Sequence, residues 1–113
     1  MEIPEPLIKN LFNNIEMPSD GSELTEALFQ GEVLIERIVS TGQVTASDTW
    51  YDQPRDEWVA LLQGNATILF GSGNEVNLCS GDNLLISAHQ LHRVTYTSLN
   101  PPCIWLAVHG KLL

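Results

Sequence analysis

Two short stretches hold most of the side chains in this 113-residue chain that could do chemistry. The first, Asp48 to Gly64, carries Trp50, Tyr51, Asp52, Gln53, Arg55, Asp56, Glu57 and Trp58, and then runs into the apolar Val59-Ala60-Leu61-Leu62. The second, Gly81 to Val94, sets Asp82, His89, His92 and Arg93 around Leu84-Leu85-Ile86. A carboxylate that meets an imidazole can simply pair with it, which favours the imidazolium and needs no metal. The same two groups can also join the ligand set of a divalent ion, with water or a further carboxylate completing it. Glu57 and His92 are the pair for either role, and Asp52 is the candidate third donor. One imidazole and two carboxylates suit an oxygen-rich site for an ion such as Mg or Mn. Trp50, Tyr51 and Tyr96 are candidate walls for a small organic ligand, with Gln53 and His89 as further polar contacts. Arg55 reads as a solvated loop residue. Arg93 should face away from His92 and pair with an acid such as Asp56. His109 reads as exposed or at a dimer edge, and Asp82 as a turn residue whose carboxylate accepts nearby backbone N–H groups.

These residues need strands to hold them. Residues 33–39 are β-branched and strand-like, and 44–50 are a candidate second strand. Further strands are expected over 57–63, 66–70, 75–79, 84–86, 92–97 and 103–109, separated by turns at Gly64-Asn65, Gly71 to Asn74 and Ser80 to Asp82. Strict alternation would put His92, Val94 and Tyr96 on one face. Several strands are apolar on both faces, and Trp58, Leu62 and Trp105 are expected on an outer, partner-covered face. The early chain differs. Pro4, Pro6 and Pro18 break it, while Leu7, Ile8, Leu11, Phe12 and Ile15 have the spacing of one amphipathic helical turn, or of an arm laid on a partner subunit. Residues 23–29 fit a helical turn or, preferably, a strand. The division is an arm over 1–30 and an all-β barrel over 31–113.

Composition narrows the function. The net charge of −9 repels phosphate backbones and anionic membranes, so neither nucleic acid nor membrane is an expected partner. A hydrophobic content of 43% suits one globular core. Cys79 and Cys103 match no metal or redox spacing and read as buried free thiols. No stretch resembles a signal peptide or approaches the roughly 20 apolar residues of a membrane span, so a cytoplasmic protein is expected.

The two stretches resemble the two motifs of the cupin superfamily. Gly42, Glu57 and Gly64 match the first, and Gly81-Asp82, Leu84-Leu85-Ile86, the turn at Ser87-Ala88-His89, and His92 match the second. The resemblance spans about residues 32–109 and implies a jelly-roll barrel, the double-stranded β-helix, with the irregular arm before it. Family members hold a divalent metal with a His pair and Glu from the first motif and a His from the second. Here the His pair is missing. Its positions fall on Trp50 and Asp52, or on Tyr51 and Gln53. Carried over residue by residue, only Glu57 and His92 match, with Asp52 a possible stand-in, and His89 occupies a turn position where the family has a small residue. Two functions stay open. One is a module, expected to be homodimeric, that binds a small molecule, a divalent metal or both in the barrel mouth. The other is a metal-dependent enzyme, dioxygenase- or isomerase-like, acting on a small acid or sugar-like substrate.

Overall fold

A computed structural model describes residues 3–113, which form eight strands and no helix. They are β1 (Leu24–Gln30), β2 (Leu34–Ser40), β3 (Asp56–Gln63), β4 (Ala66–Phe70), β5 (Glu75–Leu78), β6 (Asn83–Ile86), β7 (His92–Thr97) and β8 (Cys103–Gly110). A five-stranded antiparallel sheet runs β1-β2-β8-β3-β6, and a three-stranded one runs β5-β4-β7. The two face each other as a double-stranded β-helix, the all-β architecture that the strand spacing predicts. No helix among the described residues is long and apolar enough to cross a membrane.

Alternation along the strands builds the interior. Val59 and Leu61 of β3, Ala66, Ile68 and Phe70 of β4, Ile86 of β6, and Cys103, Trp105 and Ala107 of β8 make one buried cluster. Trp105 is therefore an inner residue and not part of an outer face: it is 5% exposed, and its Nε1–H donates to Ser40 Oγ at 3.1 Å. Trp58, one residue beyond the inward Glu57, does point outward, where its Nε1–H reaches Asn83 Oδ1 at 3.2 Å.

Other expectations meet local chemistry that overrides them. Residues 44–50 form no strand, because Thr49 N–H turns back to the Ala46 carbonyl within a Ser-Asp segment suited to turns. Residues 7–15 form no helical turn. Asn10 Oδ1 accepts the Phe12 N–H at 2.8 Å and Asn14 adopts a φ of 55°, both of which divert the backbone from a helix. Cys79 lies past the end of β5 and is exposed, while Cys103 is buried. Asp82 behaves as its turn position suggests, its Oδ2 accepting the Cys79 N–H at 2.8 Å.

Residues 24–30 are a sheet strand, so the irregular segment that precedes the barrel ends before Leu24. Its base is held by Arg37, which is only 6% exposed. Arg37 pairs with Glu26 and donates to the carbonyls of Leu11 at 3.0 Å, Asn13 at 2.6 Å and Asn14 at 3.1 Å. Farther out, Ile3, Leu7 and Ile8 are largely exposed.

Candidate functional site

Between the sheets lies a cavity of about 240 Å³, open at one end. Its floor is apolar, from Ile38, Val59, Ile68, Ile86, Val94 and Trp105, and its mouth is polar. Glu57 is the second residue of β3 and His92 the first of β7, and both point inward with 8% and 5% exposure. Their facing atoms, Glu57 Oε1 and His92 Nε2, are 3.7 Å apart. The acid and the imidazole that the two stretches single out do share one cavity.

The approach to β7 decides which of its neighbours join them. Tyr51 makes an isolated antiparallel bridge with His92, its N–H donating to the His92 carbonyl at 2.8 Å, and the two rings stand 5.4 Å apart. Extended backbone then sends residues 51 and 53 inward and 50 and 52 outward. Tyr51 and Gln53 line the cavity. Asp52 does not: its carboxylate is 2.7 Å from His89 Nδ1, in a pair that is more than half exposed. Asp52 is therefore not a ligand beside Glu57, and His89 is not a cavity contact. His89 sits at a φ of 62°, in the left-handed region that His enters more readily than most residues, and its ring is held by Asp52 outside the cavity.

Trp50 also lies outside, with the Arg93 guanidinium 5.6 Å over its ring. Arg93 further donates to the Ser47 carbonyl, so it does not pair with Asp56. Asp56 instead accepts N–H groups from Ala88 at 2.9 Å and from Leu112 and Leu113 at 2.9 and 3.1 Å. Those bonds hold its carboxyl below the usual carboxylate range. Tyr96 is excluded from the mouth by a β-bulge. Thr67 pairs with Tyr96 and Ile68 with Val94, which leaves Thr95 as an extra residue in β7. The parity reverses there, Tyr96 turns out with 52% exposure, and Thr97 turns in with 4%.

The site contains two groups that the motifs do not announce. His109 of β8 lies directly opposite Glu57 in the ladder, and its Nε2 is 3.9 Å from Glu57 Oε2. The same Nε2 is 2.8 Å from Glu36 Oε1 of β2. His109 is thus an inner residue and not an edge one. The visible signal is parity: Glu36 alternates with the inward Ile38 and Ser40, and His109 with Trp105 and Ala107.

Proton positions follow from the partners. His92 Nδ1 meets the Gln90 carbonyl at 2.9 Å, which can only accept, so Nδ1 carries hydrogen and Nε2 is the ring nitrogen that faces Glu57. His109 Nε2–H is given to Glu36. Neither imidazole comes within hydrogen-bond distance of Glu57. Its burial pushes its carboxyl above the ordinary value, His109 and His92 draw it partly back, and Glu36 adds to the rise.

A protein-held divalent ion needs three or more converging donors. Among the described residues no three His, Cys, Asp or Glu side chains are grouped to hold one. The two imidazoles approach opposite oxygens of Glu57, His109 Nε2 is committed to Glu36, and Asp52 is turned to His89. The residues present do not fit the metal that the motif resemblance implies.

A raised carboxyl takes up a proton on folding, so its cost to stability is absent below the unfolded value and full above the folded one. Glu57→Gln is accordingly expected to raise the melting temperature at about pH 8 and to lose that advantage at about pH 4. Melts of both proteins across that range check it, and equal curves would show that Glu57 carries no burial cost.

The chain is similar to several solved structures. A proposed mannose-6-phosphate isomerase from Ralstonia eutropha JMP134 is 37% identical, with a TM-score of 0.86 over 94% of this chain and 99% of that one. A cupin superfamily protein from Desulfitobacterium hafniense DCB-2 is 23% identical, with a TM-score of 0.69 over 86% and 84% of the two chains. A protein with a double-stranded β-helix domain from Klebsiella pneumoniae is 20% identical, with a TM-score of 0.73 over 95% and 91%. No protein-family model matches the chain, and no curated protein matches it.

Proposed function

The chain belongs to the cupin superfamily, and from that premise we propose that its barrel mouth binds a small organic molecule without a metal ion. The observation that carries this is convergence. Glu57, His92, Tyr51 and Gln53 face one cavity over an apolar floor, the arrangement expected where a few polar groups orient a mostly apolar guest. The volume of about 240 Å³ equals about eight waters' share of liquid, so the guest is smaller than a drug-sized molecule.

A second reading is favoured by one observation, the inward Glu57 carboxyl with the His92 Nε2 atom 3.7 Å away. Such a pair can move a proton between neighbouring atoms of a guest, which is what an isomerisation requires. The 37% identical protein carries an isomerase name. Its named phosphosugar is a poor guest here, because no Lys or Arg lines the cavity to meet a phosphate.

Thermal-shift screening of chelator-treated protein tests the binding reading. The set should span small polyols, hydroxy acids, amines and mannose 6-phosphate, each with and without added divalent ion. A guest present at about 100 times its Kd is expected to stabilise the fold by about 2.7 kcal/mol, and Tyr51→Ala should abolish the shift. Shifts that arise only after a divalent ion is added would overturn the metal-free reading.

A further inference from the structure

We propose that the guest of this mouth is a small organic cation, an alkyl or cycloalkyl ammonium whose charge is met by Glu57 and whose body rests on the apolar floor. This deepens the metal-free binding reading and rests on it. Three carboxylates line the cavity, those of Glu23, Glu36 and Glu57, and no Lys or Arg does. Two of them already have a donor at hydrogen-bond distance: Glu23 accepts from Ser40 Oγ at 2.8 Å, and Glu36 takes the His109 contact at 2.8 Å. Glu57 is different. It is 8% exposed, it faces the cavity, and its ionic neighbours stand at 3.7 and 3.9 Å, beyond hydrogen-bond reach.

A buried carboxylate without a donor is costly, and the cost is removed by a proton or by a cation that brings its own hydrogens. The nearest imidazole nitrogen stands 3.7 Å away, so the protein leaves Glu57 without a hydrogen-bond donor in contact. The chain's buried basic side chain, Arg37, is spent on Glu26 and three carbonyls on the opposite face of β2. An ammonium at the mouth would donate to Glu57 in a charge-assisted bond, and the Tyr51 ring, which lines the same cavity, would favour the positive charge. Trp105, Ile68 and Ile86 would bury its carbon body.

Three probes with one ring and different charge test this: cyclohexylammonium, cyclohexanol and cyclohexanecarboxylate, each titrated calorimetrically into chelator-treated full-length protein. Cyclohexylammonium is expected to bind at least about tenfold more tightly than cyclohexanol, a difference of about 1.4 kcal/mol. Cyclohexanecarboxylate should show no binding, and Glu57→Gln should remove the preference for the ammonium. Methyl NMR of the wild-type protein keeps the test independent of how that variant folds. The Val59, Ile68 and Ile86 methyls should shift on addition of the ammonium, whereas shifts confined to the acidic surface would overturn the proposal. Tighter binding of the alcohol or the carboxylate, again with cavity methyls shifting, would also overturn it while leaving metal-free binding intact. Failure of all three probes and of the wider screen would remove both.

Discussion

Gly64→Ala is expected to lower stability by about 3 kcal/mol, or roughly 12 °C in melting temperature. Gly64 sits in the turn between β3 and β4 at a φ of +97°, where a side chain is strained. The larger part of the effect is steric. A Cβ there would stand 2.8 Å from Ser98 Oγ, 2.9 Å from Cys103 Sγ and 3.0 Å from the Cys103 backbone. Cys103 is fully buried, and Ser98 Oγ is held by the Pro101 carbonyl at 2.7 Å, so neither neighbour can retreat cheaply. Gly73→Ala separates the two causes. Gly73 has nearly the same φ, +92°, with nothing within 4 Å of the added carbon, so only the backbone cost of about 1 kcal/mol should appear. Denaturant titration of both variants measures the difference. Equal losses would mean that the packing around Gly64 yields, contrary to this account.

Arg37→Ala is expected to cost about 3 kcal/mol and to release the segment before β1. The guanidinium is the common donor for Glu26 of β1 and for the carbonyls of Leu11, Asn13 and Asn14, the last three in a stretch without strand partners of its own. Removing it leaves these groups to water, and the local free energy of opening falls with them. Limited chymotrypsin digestion should then cut at Leu11 or Phe12 at least about tenfold faster than in the wild type. Arg37→Lys should recover only part of the protection, because an ammonium cannot span a carboxylate and three carbonyls as the planar fork does. Unchanged digestion in Arg37→Ala would show that the segment is held by something other than this side chain.

The strands and the Glu57–His92 pair were legible because each rests on a short-range pattern. An apolar run bounded by Gly gives the strand, and a polar residue at its opening gives the mouth. Parity was the weak point. Nothing in Asp48 to Gln53 says whether the odd or the even residues point inward, and only the bridge from Tyr51 to His92 decides for Tyr51 and Gln53 over Trp50 and Asp52. The exclusion of Tyr96 needed knowledge of one extra residue in β7, which alternation cannot reveal. Glu36 and His109 are 73 residues apart, and it is the β2–β8 pairing that makes them neighbours. Their inward parity was readable, but a polar residue in an apolar strand becomes a site residue only once its partner is known.

The bulge at Thr95 has a bearing on how this mouth could diversify. One wall of the barrel changes its lining at a single point, where chain length rather than residue type sets which side chain looks in. Absorbing Thr95 into a regular ladder, with no residue lost, would turn Tyr96 inward in place of Thr97 while the five-stranded sheet kept its own register. New guests could thus be admitted by moving or smoothing one bulge in a single strand, with the acid and imidazole at the rim left untouched.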